Sequence, residues 1–501
     1  MRRRQPLPLL VLFALVAAAC TAGPAATTTT TATTATPTAT TGSPSTTTTT
    51  LAPSTTPNAS GVDDAVGSAG IGDEYYPTLG NGGYDVAHYD LEMRYTPATN
   101  LLAASVTIEA IATQNLATFN LDFEGFEISD LTLNDNPAEY ERQGRELTIT
   151  PPVPLQPGGL FTVNIAYAGK PGAVGSPAFS RVSMGWREGP DGEQYVVAEP
   201  DAANSWFPAN DHPLDKATFR YRVTVPEGWA VGSTGEFLGT EPDHEGGDGI
   251  TFTWDMDEPM APYLATVIIG EGYQLVEDRV STEAAGIPIR NFLPPDLVGN
   301  EPAVLFETGE MVAALEESFG PYPFDRYGIT VVGDFPAALE NQTMSIFGRG
   351  IAGSPIFEFV LVHELAHQWF GNSVSLEQWK DIWLNEGFAT YAELLWIEHR
   401  EGHAVYEEVV ANRRQAASAA NFSPPGEPPP TDLFNGGVYQ LGGLLLADLR
   451  EEIGDDRFFD LLRIYARENR NGHASTEDFI ELAETVSGQE LEEFFDSRLY
   501  S

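Results

Sequence analysis

Residues 354–395 read SPIFEFVLVHELAHQWFGNSVSLEQWKDIWLNEGFATYAELL. Two apolar stretches flank a short polar turn, and the first carries His363 and His367 four residues apart. On a helix both imidazoles then share one face and can reach one metal ion. Glu364 lies beside that face, placed to take a proton from a water on the metal. Phe357, Val360, Leu361, Val362, Ala366 and Phe370 make the segment apolar almost all round, as in a buried helix. A buried helix should not carry histidines and a glutamate without partners for them. Ser354-Pro355 predicts the N-cap and first turn, and Gly371-Asn372 the stop, of a helix over residues 356–370. Eighteen residues separate His367 from Glu386, which sits on a second helical apolar segment that can turn back on the first. Two histidines and one carboxylate favour a single Zn2+ with one position left open.

Outward from this pair the chain changes character. Residues 301–319, 382–400, 439–453, 457–468 and 476–486 show further helical patterns, with a proline-rich loop at 424–430. Upstream, from about residue 84 to 275, alternation at period two marks strands, as in Tyr89-Asp90-Leu91-Glu92-Met93-Arg94-Tyr95. Turn residues such as Pro157-Gly158-Gly159 punctuate them. The expected class is α+β: an antiparallel β domain over residues 76–280, then a mostly helical domain over 281–501.

The amino end is different again. Arg2, Arg3 and Arg4 precede an apolar run over residues 7–19 and then Cys20. This is a signal peptide of lipoprotein type over residues 1–19, with Cys20 as the expected lipidation site. Ordinary cleavage after Ala19 and secretion is the alternative. Cys20 is the single cysteine, so no intrachain disulfide forms. Residues 21–60 hold 23 Ser or Thr, five Pro and no charge. Residues 20–75 are therefore expected to be an extended stalk beyond the cytoplasm. The whole chain carries 72 acidic against 26 basic residues, a formal charge of −46. Nucleic acid is excluded as a partner, because phosphate contacts need clustered Lys and Arg.

His363-Glu364-x-x-His367, the eighteen-residue gap and Glu386 within Trp383-Leu384-Asn385-Glu386-Gly387 together resemble the zinc site of the M1 aminopeptidases. Three more segments share the resemblance. Phe335-Pro336-Ala337-Ala338-Leu339-Glu340-Asn341 is similar to the family's Gly-x-Met-Glu-Asn motif, with Ala337 for the glycine and Leu339 for the methionine. The resemblance implies that Ala337, Ala338, Leu339, Glu340 and Asn341 bind substrate and that Glu340 holds its free amine. Glu199, ahead of Trp206-Phe207-Pro208-Ala209-Asn210-Asp211, is implied as the second amine anchor. Tyr439-Gln440-Leu441-Gly442-Gly443 resembles Tyr-x-Lys-Gly-Ala, with Leu441 for the lysine, and implies Tyr439 as oxyanion donor. The implied fold is a saddle-like β domain before a thermolysin-like catalytic domain.

The expected function is a zinc-dependent metallo-aminopeptidase, lipid-anchored outside the cytoplasm and acting on peptides with a free amino terminus. Typical members continue into a helical domain that roofs the site, and this chain stops at Ser501, so a short form with a more open site is expected. The competing readings are an endopeptidase or epoxide hydrolase on the same scaffold, or a noncatalytic surface binding lipoprotein. The oligomeric state is left open.

Overall fold

The computed structural model describes residues 66–243 and 247–501. The expected leader, Cys20 and the stalk up to residue 65 lie outside the described residues. Residues 66–75 were expected to continue the stalk, and there the expectation is corrected. Asp73 is buried, accepts from the backbone N–H of Trp379 at 2.7 Å and faces His212 Nε2 at 3.2 Å. Its partners stand far away in sequence, so local composition gives no sign of them. His212 also makes a local turn contact, accepting from Leu214 N–H at Nδ1.

The amino-terminal half is β throughout. An eight-stranded sheet runs in the order Glu236–Pro242, Gly249–Met260, Ala217–Pro226, Tyr84–Thr96, Leu101–Ala112, Leu160–Gly169, Glu127–Leu133, Asn136–Pro137. Along Tyr84–Thr96 the side chains of Tyr84, Val86, Tyr89, Leu91, Met93 and Tyr95 are buried, the alternation of a one-sided sheet with one change of phase at the register shift between Val86 and His88. The pairing is antiparallel except at one place: Tyr84–Thr96 lies parallel to Ala217–Pro226. A parallel pair needs a long crossover, and the chain between these strands supplies it. That crossover supplies three strands of the second sheet, which is ordered Trp229–Ser233, Val267–Glu271, Gln194–Val197, Phe179–Glu188, Ala173–Ser176; the first two in that order follow Ala217–Pro226 in the chain. Its strand Gln194–Val197 leads straight into Glu199.

The carboxyl-terminal half opens on a five-stranded mixed sheet ordered Gln274–Glu277, Arg290–Leu293, Ile329–Val332, Ser345–Gly348, Ala338–Leu339. Helices then follow almost without interruption. The histidine helix spans Phe357–Ala366 and the glutamate helix Trp383–Glu401. The histidine helix is shorter than expected at both ends. Ser354 caps nothing, because its hydroxyl donates back to Ile351 O behind the short helix Arg349–Ala352. At the other end His367 N–H bonds back to His363 O, and the backbone then turns out of α geometry. A helix over His403–Ala419 was not foreseen, although Tyr406, Val409, Val410 and Arg413 bury one helical face. No helix among the described residues is long and apolar enough to cross a membrane.

Candidate active site

Packing of the two helices brings together what the chain separates. His363 Nε2 lies 3.1 Å and His367 Nε2 3.5 Å from the same atom, Glu386 Oε2. Ligands at about 2.0–2.1 Å around a tetrahedral zinc stand about 3.3 Å apart, and the two distances bracket that value. All three residues are buried. The imidazole faces not needed for metal are already committed. His363 Nδ1 lies 3.1 Å from Glu393 Oε1, and His367 Nδ1 lies 3.1 Å from Phe370 O. Two imidazoles with their Nε2 atoms free to face one carboxylate are a zinc donor set, and the residues present fit that ion.

The electrostatics agree. Burial works against charge on both histidines, yet Glu386 and Glu393 raise His363 and Glu386 and Glu340 raise His367. Burial also works against ionised Glu386, but His367 and His363 overcome it and hold the carboxyl at about 2. The site therefore concentrates negative field on the two Nε2 atoms, where a divalent cation can replace protons. Glu364 is different: burial, with smaller help from Glu340 and Glu386, pushes its carboxyl up to about 8 against the pull of both histidines.

Three contributors to the site went unread in the sequence. Glu393 stands two helical turns beyond Glu386 on the same face, and Arg413 from the unforeseen helix donates to its Oε2 at 2.7 Å. The seven-residue spacing of the glutamates was the available signal. Tyr263, in the β domain, donates its hydroxyl to Glu340 Oε1 at 3.3 Å. Nothing local marks it.

His363, Glu364, His367 and Glu386 line one cleft of about 800 Å³, together with Glu199, Ala337, Ala338, Leu339, Glu340 and Tyr439. Glu340, Glu364 and His367 offer ligand atoms within 4.8 Å of one another. The backbone carbonyl of Glu340 accepts from Gln368 Nε2 at 3.0 Å and from Asn372 Nδ2 at 2.8 Å, which ties it to the end of the histidine helix. Tyr439 sits in a single π-helical turn, Gly437–Leu441, with its ring 5.9 Å from that of His363. Such turns recur at functional sites because they aim a side chain out of α register. Asn341 is the one expected substrate residue that does not line the cleft. Its side-chain amide instead donates to Leu264 O in the β domain, at 2.9 Å.

Comparison with known proteins follows the same two halves. The Peptidase M1 N-terminal domain matches residues 86–264, and the Peptidase family M1 domain matches residues 305–497. Human endoplasmic reticulum aminopeptidase 1 is 26% identical over 434 residues, covering 78% of this chain and 44% of that protein. Aminopeptidase N of Streptomyces lividans is 28% identical over 59% of this chain and 36% of its own. The chain thus spans less than half the length of these curated relatives. The M1 zinc metallopeptidase of Deinococcus radiodurans superposes with a TM-score of 0.77 at 30% identity, covering 86% of this chain and 97% of that one. A variant of it bound to a Tyr-Ser-Ala substrate gives 0.77 at 29%. The chain belongs to the M1 family of zinc metallopeptidases. Membership brings one catalytic Zn2+, and the geometry of His363, His367 and Glu386 fits its donor set.

Proposed function

We propose that this protein is a zinc-dependent aminopeptidase that removes amino-terminal residues from peptides outside the cytoplasm. The observation that carries the reading is the meeting of two carboxylates, Glu199 and Glu340, with the His363–His367–Glu386 set in one cleft. A zinc ion held by those three residues would polarise the scissile carbonyl and lower the pKa of a water to about 7. Glu364 accepts the proton from the attacking water and passes it to the leaving amine. Tyr439 donates its hydroxyl to the oxyanion that forms on the carbonyl. Glu199 and Glu340 bind the substrate's ammonium, which fixes the cut one residue from the amino end. Tyr263 orients Glu340, and the Arg413–Glu393–His363 chain of hydrogen bonds fixes the imidazole. Ala337, Ala338 and Leu339 support the substrate beside Glu340.

The aminopeptidases among the relatives and the peptide-bound Deinococcus structure support the activity. The leader and Cys20 support a lipid anchor, with the Thr-rich segment as spacer and residues 76–280 and 281–501 as the two working domains. The test is hydrolysis of aminoacyl fluorogenic amides by purified protein before and after chelation. Activity lost to the chelator and restored by zinc is expected. Turnover indifferent to metal removal would refute the reading.

A further inference from the structure

Seven residues lining the cleft are polar, and each already has a part in the chemistry proposed above; every other described lining residue is apolar. The apolar part is contributed from both halves of the molecule. Phe179, Val182 and Met184 come from one strand of the β domain, Phe179–Glu188. Ile356 and Val360 stand seven and three residues before His363, so they continue the histidine face of that helix toward its start. Phe434 comes from the loop five residues before Tyr439. Phe179 and Phe434 stack across the two halves, ring centroids 4.4 Å apart and planes 9° from parallel. Among the described residues this pair is the one place where an aromatic ring of the β domain stacks flat on a ring of the helical domain beside the site.

An amino-terminal residue held for cleavage has its ammonium at Glu199 and Glu340 and its carbonyl at the metal set. Its side chain branches from the single carbon between them, so it too must lie in this cleft. Only apolar wall remains to receive it. A charged or amide side chain would lose its water there without gaining a partner, whereas a large apolar one would bury its surface.

We propose that the stacked Phe179–Phe434 pair forms a cross-domain wall of the pocket for the substrate's first side chain, and that this pocket selects large apolar residues such as leucine, phenylalanine and methionine. The proposal rests on the aminopeptidase reading and names the substrate class of that same site. The opposing possibility is chemically definite. Four carboxylates line the cleft, and if they were not saturated by the ammonium and the metal they would favour lysine or arginine.

The test is kcat/KM on a panel of aminoacyl fluorogenic amides with the zinc-loaded protein, its Phe179→Ala variant and its Phe434→Ala variant. The wild type is expected to prefer leucyl, phenylalanyl and methionyl substrates over alanyl by tenfold or more, and over aspartyl, glutamyl, lysyl and arginyl by about 100-fold. Each variant is expected to lower the leucyl-to-alanyl ratio by about tenfold. A wild-type preference for a charged first residue overturns the proposal. So does an equal loss on every substrate in both variants, which would make the pair structural only. Failure of all substrates would refute the aminopeptidase reading, and the pocket is then judged by binding alone. Free L-leucine and L-phenylalanine should raise the melting temperature of the zinc-loaded protein more than L-alanine, L-lysine or L-aspartate, with the difference reduced in Phe179→Ala. A flat or reversed ranking overturns the pocket assignment independently of turnover.

Discussion

Glu364 and Glu386 are both buried carboxyls within reach of the same two histidines, yet their environments drive them apart. Glu386 faces both Nε2 atoms and is held at about 2, while Glu364 stands aside and is pushed up to about 8 by burial. On the proposed reading one serves as a ligand to the metal and the other as a group that can exchange a proton. Glu364→Gln should therefore keep the metal and lower kcat by about 10²–10⁴-fold; metal content measured beside kcat decides it. Loss of metal in that variant would assign Glu364 to structure. Glu393→Ala removes the acceptor of His363 Nδ1 and leaves Arg413 without its carboxylate. Zinc affinity, measured by chelator competition, should fall about 10–100-fold. The pattern His363-Glu364-His367 was legible because helix geometry converts a four-residue spacing directly into a shared face. Glu393, Arg413 and Tyr263 were not, because their relation to the site exists only after three separate segments have packed.

At the scale of elements, the site depends on how closely two helices cross. Gly387, one residue past Glu386, lies against Gly442, the first residue of the helix Gly442–Ile453 that follows Tyr439. A Cβ on Gly387 would meet the Gly442 carbonyl carbon at 2.9 Å and its Cα at 3.0 Å. Backbone meets backbone there, so no side chain can yield. Gly387→Ala should cost about 1–3 kcal/mol of stability, read from denaturant unfolding. It should also lower kcat, because the displaced helix carries the π turn that holds Tyr439. Unchanged unfolding would show that the crossing has slack. Most helices were readable from periodicity, including Trp383–Glu401 and Thr476–Ser487. The π turn was not, since residues 437–441 have no spacing that distinguishes π from α. The parallel strand pair was equally hidden, because alternation fixes which face is buried and says nothing of the neighbour's direction.

At the scale of the whole molecule, the two halves are joined by buried polar contacts as well as by packing. Lys216 enters from the β domain and donates from Nζ to Asn372 O and Ser373 O, both at 2.9 Å, in the loop after the histidine helix. Burial lowers its ammonium to about 7. The folded state then binds fewer protons than the unfolded chain between pH 7 and about 10.4, so this residue's contribution to stability rises with pH across that window. Lys216→Met should flatten the change in melting temperature between pH 7 and pH 9.5, measured by calorimetry against wild type. An identical slope in both proteins would place the charge in water. Asp73 makes a second tie, from the first described residues to Trp379. These ties hold the β domain where Glu199 enters the cleft that the helices form, and that convergence is the basis of the aminopeptidase reading. Its most direct test is the ratio of kcat/KM for a leucyl fluorogenic amide to that of its N-acetyl twin, in wild type and in Glu340→Ala. Wild type should cleave the free amine and leave the acetylated twin essentially untouched, and Glu340→Ala should collapse the ratio by weakening the free-amine substrate alone. Comparable cleavage of both twins by the wild type would contradict the account.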